Sequence, residues 1–167
     1  MKPQAILIVV AFLIFASSGC TREETPVEPV QTADLTTNEF PQAQAEIRET
    51  LDAIFESIQQ KDADKLISFH QYGPKFTEFK DGERRTGAAE NEAYERGLVA
   101  AVSAFDYDLH DLKIDVFCNV GKVTFHADFR PTINGQTHQM LSQATLIFVR
   151  VGKDWKIVHE HLSPLIE

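Results

Sequence analysis

Two imidazoles and a hydroxyl recur at every second position near the C-terminus, in Trp155-Lys156-Ile157-Val158-His159-Glu160-His161-Leu162-Ser163. Side chains alternate faces along a strand, so Trp155, Ile157, His159, His161 and Ser163 share one face while Lys156, Val158, Glu160 and Leu162 share the other. The first face grades from an aromatic anchor to a polar tip, the profile expected of a pocket floor. A His-x-His pair so placed supports three chemistries: two metal ligands, a general base with its orienting partner, or packed polar residues that simply hydrogen-bond. Metal binding would need a third ligand from His126, Asp128 or His70. None stands at a diagnostic spacing, so neither a metal nor another cofactor is expected. In the acid–base reading the catalytic residues are His159, His161 and Asp128, with one histidine as base and Asp128 orienting it or stabilising its charged form.

Two further strands must hold this face. In residues 122–132, Val123, Phe125, Ala127 and Phe129 alternate with Thr124, His126, Asp128 and Arg130; in residues 137–151, Gln143 and Thr145 oppose Ser142, Ala144, Leu146 and Phe148. If the polar faces point inward, His126, Arg130 and Gln143 join His159, His161 and Ser163 as ligand contacts. A shift of one residue exchanges that set for Val123, Phe125 and Phe129, and the pattern leaves the choice open. Asn134-Gly135 is a hairpin signal, and an earlier strand over residues 107–118 places Cys118 inside an apolar run, as a small buried hydrophobe.

The helices come first. Ile47, Leu51, Ile54, Phe55 and Ile58 recur at spacings of three and four, which predicts an amphipathic helix over 42–60 behind Pro41. Asp62 caps a short helix over 63–69, residues 75–80 read as a short strand, and a third helix over 88–104 turns Ala93, Leu98, Ala101 and Val102 to the core. Helices followed by an antiparallel meander define an α+β fold, with about three N-terminal helices packed on a strongly curved antiparallel sheet. Such a sheet makes a cone with an internal pocket at its wide end.

Upstream, residues 6–15 are an unbroken apolar run behind Lys2, too short to span a membrane and the size of a secretory signal core. Ala16-Ser17-Ser18-Gly19-Cys20 resembles the lipobox of bacterial lipoproteins, which implies cleavage before Cys20 and lipidation of its thiol. Thr21 in place of the Asp that retains such proteins at the inner membrane implies the outer membrane, facing the periplasm. The alternative is a secreted or soluble periplasmic protein. Residues 20–40 are polar and aperiodic, a disordered tether before the domain at 41–167. The formal net charge is −9, and removal of residues 1–19 takes away Lys2 alone, giving −10. An acidic chain without a Lys/Arg cluster argues against nucleic acid and against anionic lipid as partners, so the lipid is the expected link to a membrane.

Ser142-Gln143-Ala144-Thr145, Gly152-x-x-Trp155 and Ile157-Val158-His159-x-His161-x-Ser163 together resemble the nuclear transport factor 2-like superfamily. More narrowly they resemble its SnoaL-like branch, which includes the association domain of calcium/calmodulin-dependent protein kinase II. The resemblance implies that His159 and His161 face a deep pocket and that Gln143 sits where relatives often carry Glu or Arg. It also implies a homodimer through the outer sheet face. Three functions follow as expectations: binding of a small, partly apolar molecule in the pocket; an isomerase, cyclase or dehydratase using a pocket histidine as base; or a non-catalytic dimerisation module. No nucleophile elbow, phosphate loop, dinucleotide fingerprint or zinc-protease motif is present.

Overall fold

The computed structural model describes residues 34–83 and 87–166, so the expected signal segment, Cys20 and the expected tether up to residue 33 lie outside the described residues. Helix α1 (Pro41–Gln59) starts on the proline, where a missing N–H removes no helical hydrogen bond, and buries the predicted stripe from Ile47 to Ile58. Asp62 caps α2 (Ala63–Ser68) by accepting from the Lys65 amide at 2.9 Å. Strand β1 (Thr77–Lys80) and helix α3 (Ala88–Ala101) lead into β2 (Val102–Phe117), β3 (Val120–Ile133), β4 (Gln136–Thr137), β5 (Met140–Val151) and β6 (Asp154–Pro164).

These strands form one sheet in the order β1-β6-β5-β3-β2, with β4 on the end of β3. The meander is antiparallel as expected, whereas the edge strand β1 runs parallel to β6. Register shifts at Val102/Ala104 and His110/Lys113 in β2, and at Ile147/Phe148 between β5 and β6, are the bulges that bend the sheet. Along β3 the buried side chains are Gly121, Val123, Phe125, Ala127, Phe129 and Pro131. The inner face is therefore the apolar one. Phe55 of α1 meets it, stacked on Tyr107 at 4.3 Å and tilted against Phe129 at 5.9 Å.

Three expectations need correction. Cys118 is exposed at φ 58°, in the tight turn joining β2 to β3, because that turn needs a left-handed residue where the apolar run appeared to continue. Strand β2 begins at Val102, so α3 stops three residues short of its predicted end. On α3 the buried residues are Asn91, Glu95 and Val99, while Ala93 and Ala101 are exposed.

At Gly121 a side chain of α1 packs directly on the backbone of the sheet. A Cβ there would overlap Ile47 Cδ1 and touch Phe148 Cβ at 3.6 Å. Both neighbours are fully buried and have nowhere to retreat. Gly121→Ala should therefore cost about 1–3 kcal/mol. Combining it with Ile47→Val, which removes the overlapping methyl, should cost less than the sum of the two single changes when all are compared by urea denaturation.

Candidate functional site

A cavity of about 210 Å³ lies between the helices and the inner face of the sheet. Its wall is apolar, formed by Phe55 and Leu98 of the helices and Phe105, Phe125 and Phe129 of the sheet, among others; Tyr94, Glu95, Lys80 and Glu160 bring polar groups to it. Size and lining suit a small molecule that is mostly hydrocarbon with a polar end.

Behind the polar end stands a buried cluster. The end of α2 is stitched to β6 by Gln71 N donating to Ile157 O at 2.8 Å and Ile157 N donating to Phe69 O at 2.9 Å. This ladder places His70 beside Glu160. His70 Nδ1 donates to the Leu66 carbonyl at 3.2 Å, and Nε2 faces Glu160 Oε1 at 2.9 Å and Glu95 Oε1 at 3.5 Å. Tyr72 stacks on the imidazole at 5.0 Å, and Phe76 closes it edge-on. Asn91 is fully buried; with its amide turned so that the nitrogen meets the carboxylate, it donates to Glu78 Oε1 at 2.9 Å and accepts from the Tyr72 hydroxyl at 3.1 Å. Glu95 Oε2 is buried without a hydrogen-bond partner among the described residues, on a side chain that lines the cavity.

These groups set one another's protonation. Burial disfavours the His70 imidazolium, but the Glu160 hydrogen bond and the charges of Glu160 and Glu95 outweigh it and raise the group to about 9. Burial drives the Glu95 carboxyl well above the ordinary carboxylate range; the Glu160 charge adds to this, and His70 and Lys80 oppose it. Burial also penalises the Glu160 charge, yet the His70 hydrogen bond and charge hold that carboxyl below its usual value. Without another cation these directions favour an imidazolium–carboxylate pair beside a carboxyl that keeps its proton, whose free oxygen can exchange a hydrogen bond with a bound molecule.

His159, His161, Ser163, Gln143, His126, Arg130 and Asp128 lie elsewhere, on the opposite face of the sheet. The cause in β6 is the bulge. Ile147 pairs with His159 and the next residue, Phe148, with Ile157, so Val158 is an extra residue and the alternation reverses beyond it. Trp155 and Ile157 remain inside; past the bulge Glu160 is buried, and Leu162 lines the cavity in place of His159 and His161. On β3 and β5 the apolar alternates took the inner face, because they meet the helix stripe. His126, Gln143, His161 and Ser163 line a separate open depression of about 520 Å³ with Asp111 and Lys113. His159 Nδ1 pairs with the Thr77 hydroxyl at 2.7 Å, and Phe79 packs edge-on against both histidines. Asp128 is taken by Arg130 at 2.8 Å and Gln139 at 3.0 Å.

Of the ionisable members His70, Glu95 and Glu160, the sequence pattern singled out only His70, as a possible third metal ligand. Glu95 and Asn91 carried a signal: counting back three and seven residues from Leu98 lands on them, which puts two polar residues on a core-facing stripe. Glu160 carried none without knowledge of the bulge.

Helices lying on the inner face of a bulged sheet, around an apolar cavity with a charged end, define the nuclear transport factor 2-like class of folds. Within it, the chain belongs to the SnoaL-like domain family, which residues 47–167 match. Solved structures share the fold at low identity. A candidate dehydratase of the nuclear transport factor 2-like family from Streptomyces avermitilis is 19% identical, with 76% of this chain and 99% of that chain covered at a TM-score of 0.69. A nuclear transport factor 2-like superfamily protein from Salmonella enterica is 20% identical, with 76% and 94% covered at 0.67. A candidate calcium/calmodulin dependent protein kinase II association domain from Xanthomonas campestris is 15% identical, with 73% and 87% covered at 0.62. A search of curated proteins finds no significant match.

Proposed function

We propose that this protein is a cell-envelope lipoprotein whose SnoaL-like domain takes up a small, mostly apolar molecule in the interior cavity and holds its one polar group against Glu95. The observation that carries the reading is the unpartnered Glu95 oxygen on the wall of an otherwise apolar cavity. A ligand hydroxyl or carbonyl would satisfy it, which removes the penalty of leaving that atom unpaired. Cys20 supplies the lipid, residues 21–40 the tether, and the outer sheet face pairs two copies. Exposed Phe79, at the sheet edge beside His159 and His161, supports that last element.

Residues 21–167, freed of signal and lipid, allow the test. Calorimetric titration with p-cresol and benzyl alcohol, small aromatics with one hydroxyl, should give saturable binding with one site per chain. Phe129→Trp, which fills the cavity, should abolish it. Glu95→Leu should weaken it by roughly tenfold, the worth of one hydrogen bond in a dry site. Binding that survives Phe129→Trp would place the ligand elsewhere. Sedimentation showing a monomer at dilute concentration would remove the paired-copy element and leave the cavity reading intact.

A further inference from the structure

We propose that His70, Glu95 and Glu160 form a binding site for one divalent transition-metal cation of the zinc or manganese class, with its remaining coordination positions open to the cavity. The inference goes beyond the apolar ligand and does not depend on it.

The first argument is the direction of the imidazole. Leu66 O can only accept, so the proton on that side belongs to Nδ1, and Nε2 is left facing two carboxylates. A bare lone pair aimed at these carboxyl oxygens is repulsive unless a proton or a cation stands between them. A proton on Nε2 is one answer and a metal ion is the other. A ring N–H held by a backbone carbonyl is the arrangement that orients histidine ligands in metal sites.

The second argument is spacing. One donor atom from each of the three residues lies within 4.8 Å of the others. Nitrogen and oxygen ligands placed about 2.0–2.2 Å from a shared ion stand about 3.0–3.6 Å apart; the 3.5 Å from Nε2 to Glu95 lies in that range and the 2.9 Å to Glu160 just below it. Two carboxylates and a neutral imidazole total −2, the complement of a divalent ion. One nitrogen with two oxygens selects a borderline cation over calcium or magnesium, which take oxygen alone.

The third, independent observation is Glu95 Oε2. It is buried, unpartnered and carried by a residue only 8% exposed at the cavity. A cation held by Oε1, the oxygen 3.5 Å from Nε2, could take Oε2 as a second donor of the same carboxylate. Three protein ligands rather than four leave the open position typical of sites that present a metal to a small molecule.

The test uses the full-length chain in detergent, without a histidine tag and stripped by chelator, titrated calorimetrically with Zn²⁺ and separately with Mn²⁺. At least one of them should bind at one equivalent per chain with a dissociation constant of micromolar or below. Imidazole ¹⁵N spectra of the wild type should show His70 Nε2 exchanging its proton for the metal, the proton passing to solvent, while Nδ1 stays protonated. Glu160→Gln should weaken binding by more than about 100-fold, beyond the 10–100-fold typical of an outer partner. His126→Ala, on the outer face, should change it by less than about twofold, as should cavity-filling Phe129→Trp. That last variant separates this proposal from the ligand reading. Absence of binding by either ion, retention of the Nε2 proton at saturating metal, or loss of binding in His126→Ala would each overturn it. The wild-type spectrum decides the matter should Glu160→Gln fail to fold.

Discussion

His70→Leu is expected to lower the unfolding free energy of the chelator-treated protein by about 3–5 kcal/mol at pH 8, the cost of leaving buried charge without its partner. The loss comes from what remains. Glu160 and Glu95 are 6% and 8% exposed, and in the variant neither faces the imidazolium. Both carboxyls then bind protons more tightly folded than unfolded, so the variant loses stability as pH rises and recovers it in acid. In the wild type His70 is raised from 6.5 to about 9, so its contribution is complete below pH 6.5 and is lost as pH climbs through 9. Glu95, also raised, acts in the same direction from lower pH; Glu160, depressed, acts in the opposite one, its contribution present above the ordinary carboxylate value and lost in acid. Wild-type stability should therefore fall between pH 6.5 and 9, at up to about 1.4 kcal/mol per pH unit for each proton the unfolded chain has released and the folded chain retains. Urea denaturation at pH 5, 6.5, 8 and 9 reads both curves. A variant matching the wild type at every pH would show that the ion pair contributes nothing. Replacing His70, Glu95 and Glu160 together by leucine should restore most of the loss, since a well-packed apolar set commonly equals or exceeds a buried ion cluster. A cluster that hydrocarbon can replace at little cost to folding is not accounted for by stability alone.

That cluster was the part of the protein least legible in the sequence, and the reasons are physical. The period of the α1 stripe and the alternation along β3 and β5 are direct consequences of burial, so element order and sheet could be read from them, although which face of β3 and β5 turns inward stayed open. The face of β6 could not, because one bulge at Val158 inverts the parity of everything beyond it without leaving a mark in composition. The error had a consequence: His159 and His161, the residues with the most suggestive chemistry, lie outside, and Glu160, which the alternation placed on the face away from the pocket, lies inside. Cys118 shows the same limit in a turn, where the backbone's need for positive φ outweighed the apolar context. Asn91 and Glu95 sat on a face whose apolar members, Leu98 and Val102, the pattern had already named. Polar residues at core spacing on a helix are expensive unless they are paired or used, and that expense is the signal the α3 sequence carries for a functional cluster.

Phe148→Ala should be the costliest single truncation in the core, at about 3–5 kcal/mol. Its side chain is fully buried, with Gly121 and Ile47 packed against it where α1 approaches the sheet, and none of these three residues borders the cavity. The space left by the ring would be enclosed by atoms that α1 and β3 hold fixed, so the full cavity penalty applies. Phe129→Ala should cost less, about 2 kcal/mol, although the same atoms are removed. Phe129 borders the existing cavity, so part of its ring already faces empty space and has no dispersion contacts there to lose. Denaturant unfolding of the two variants, each with an unchanged dependence on urea, would measure the difference. Equal losses would mean that the cavity collapses onto its contents in solution. The expected inequality instead describes a division of labour along the sheet: the end around Ile47, Gly121 and Phe148 is packed without reserve and supplies the stability, and the end around Phe129, Glu95 and Glu160 leaves apolar surface and a carboxylate oxygen unpartnered. Forfeiting those contacts costs the fold several kcal/mol of possible packing, which a ligand filling the space would return on binding.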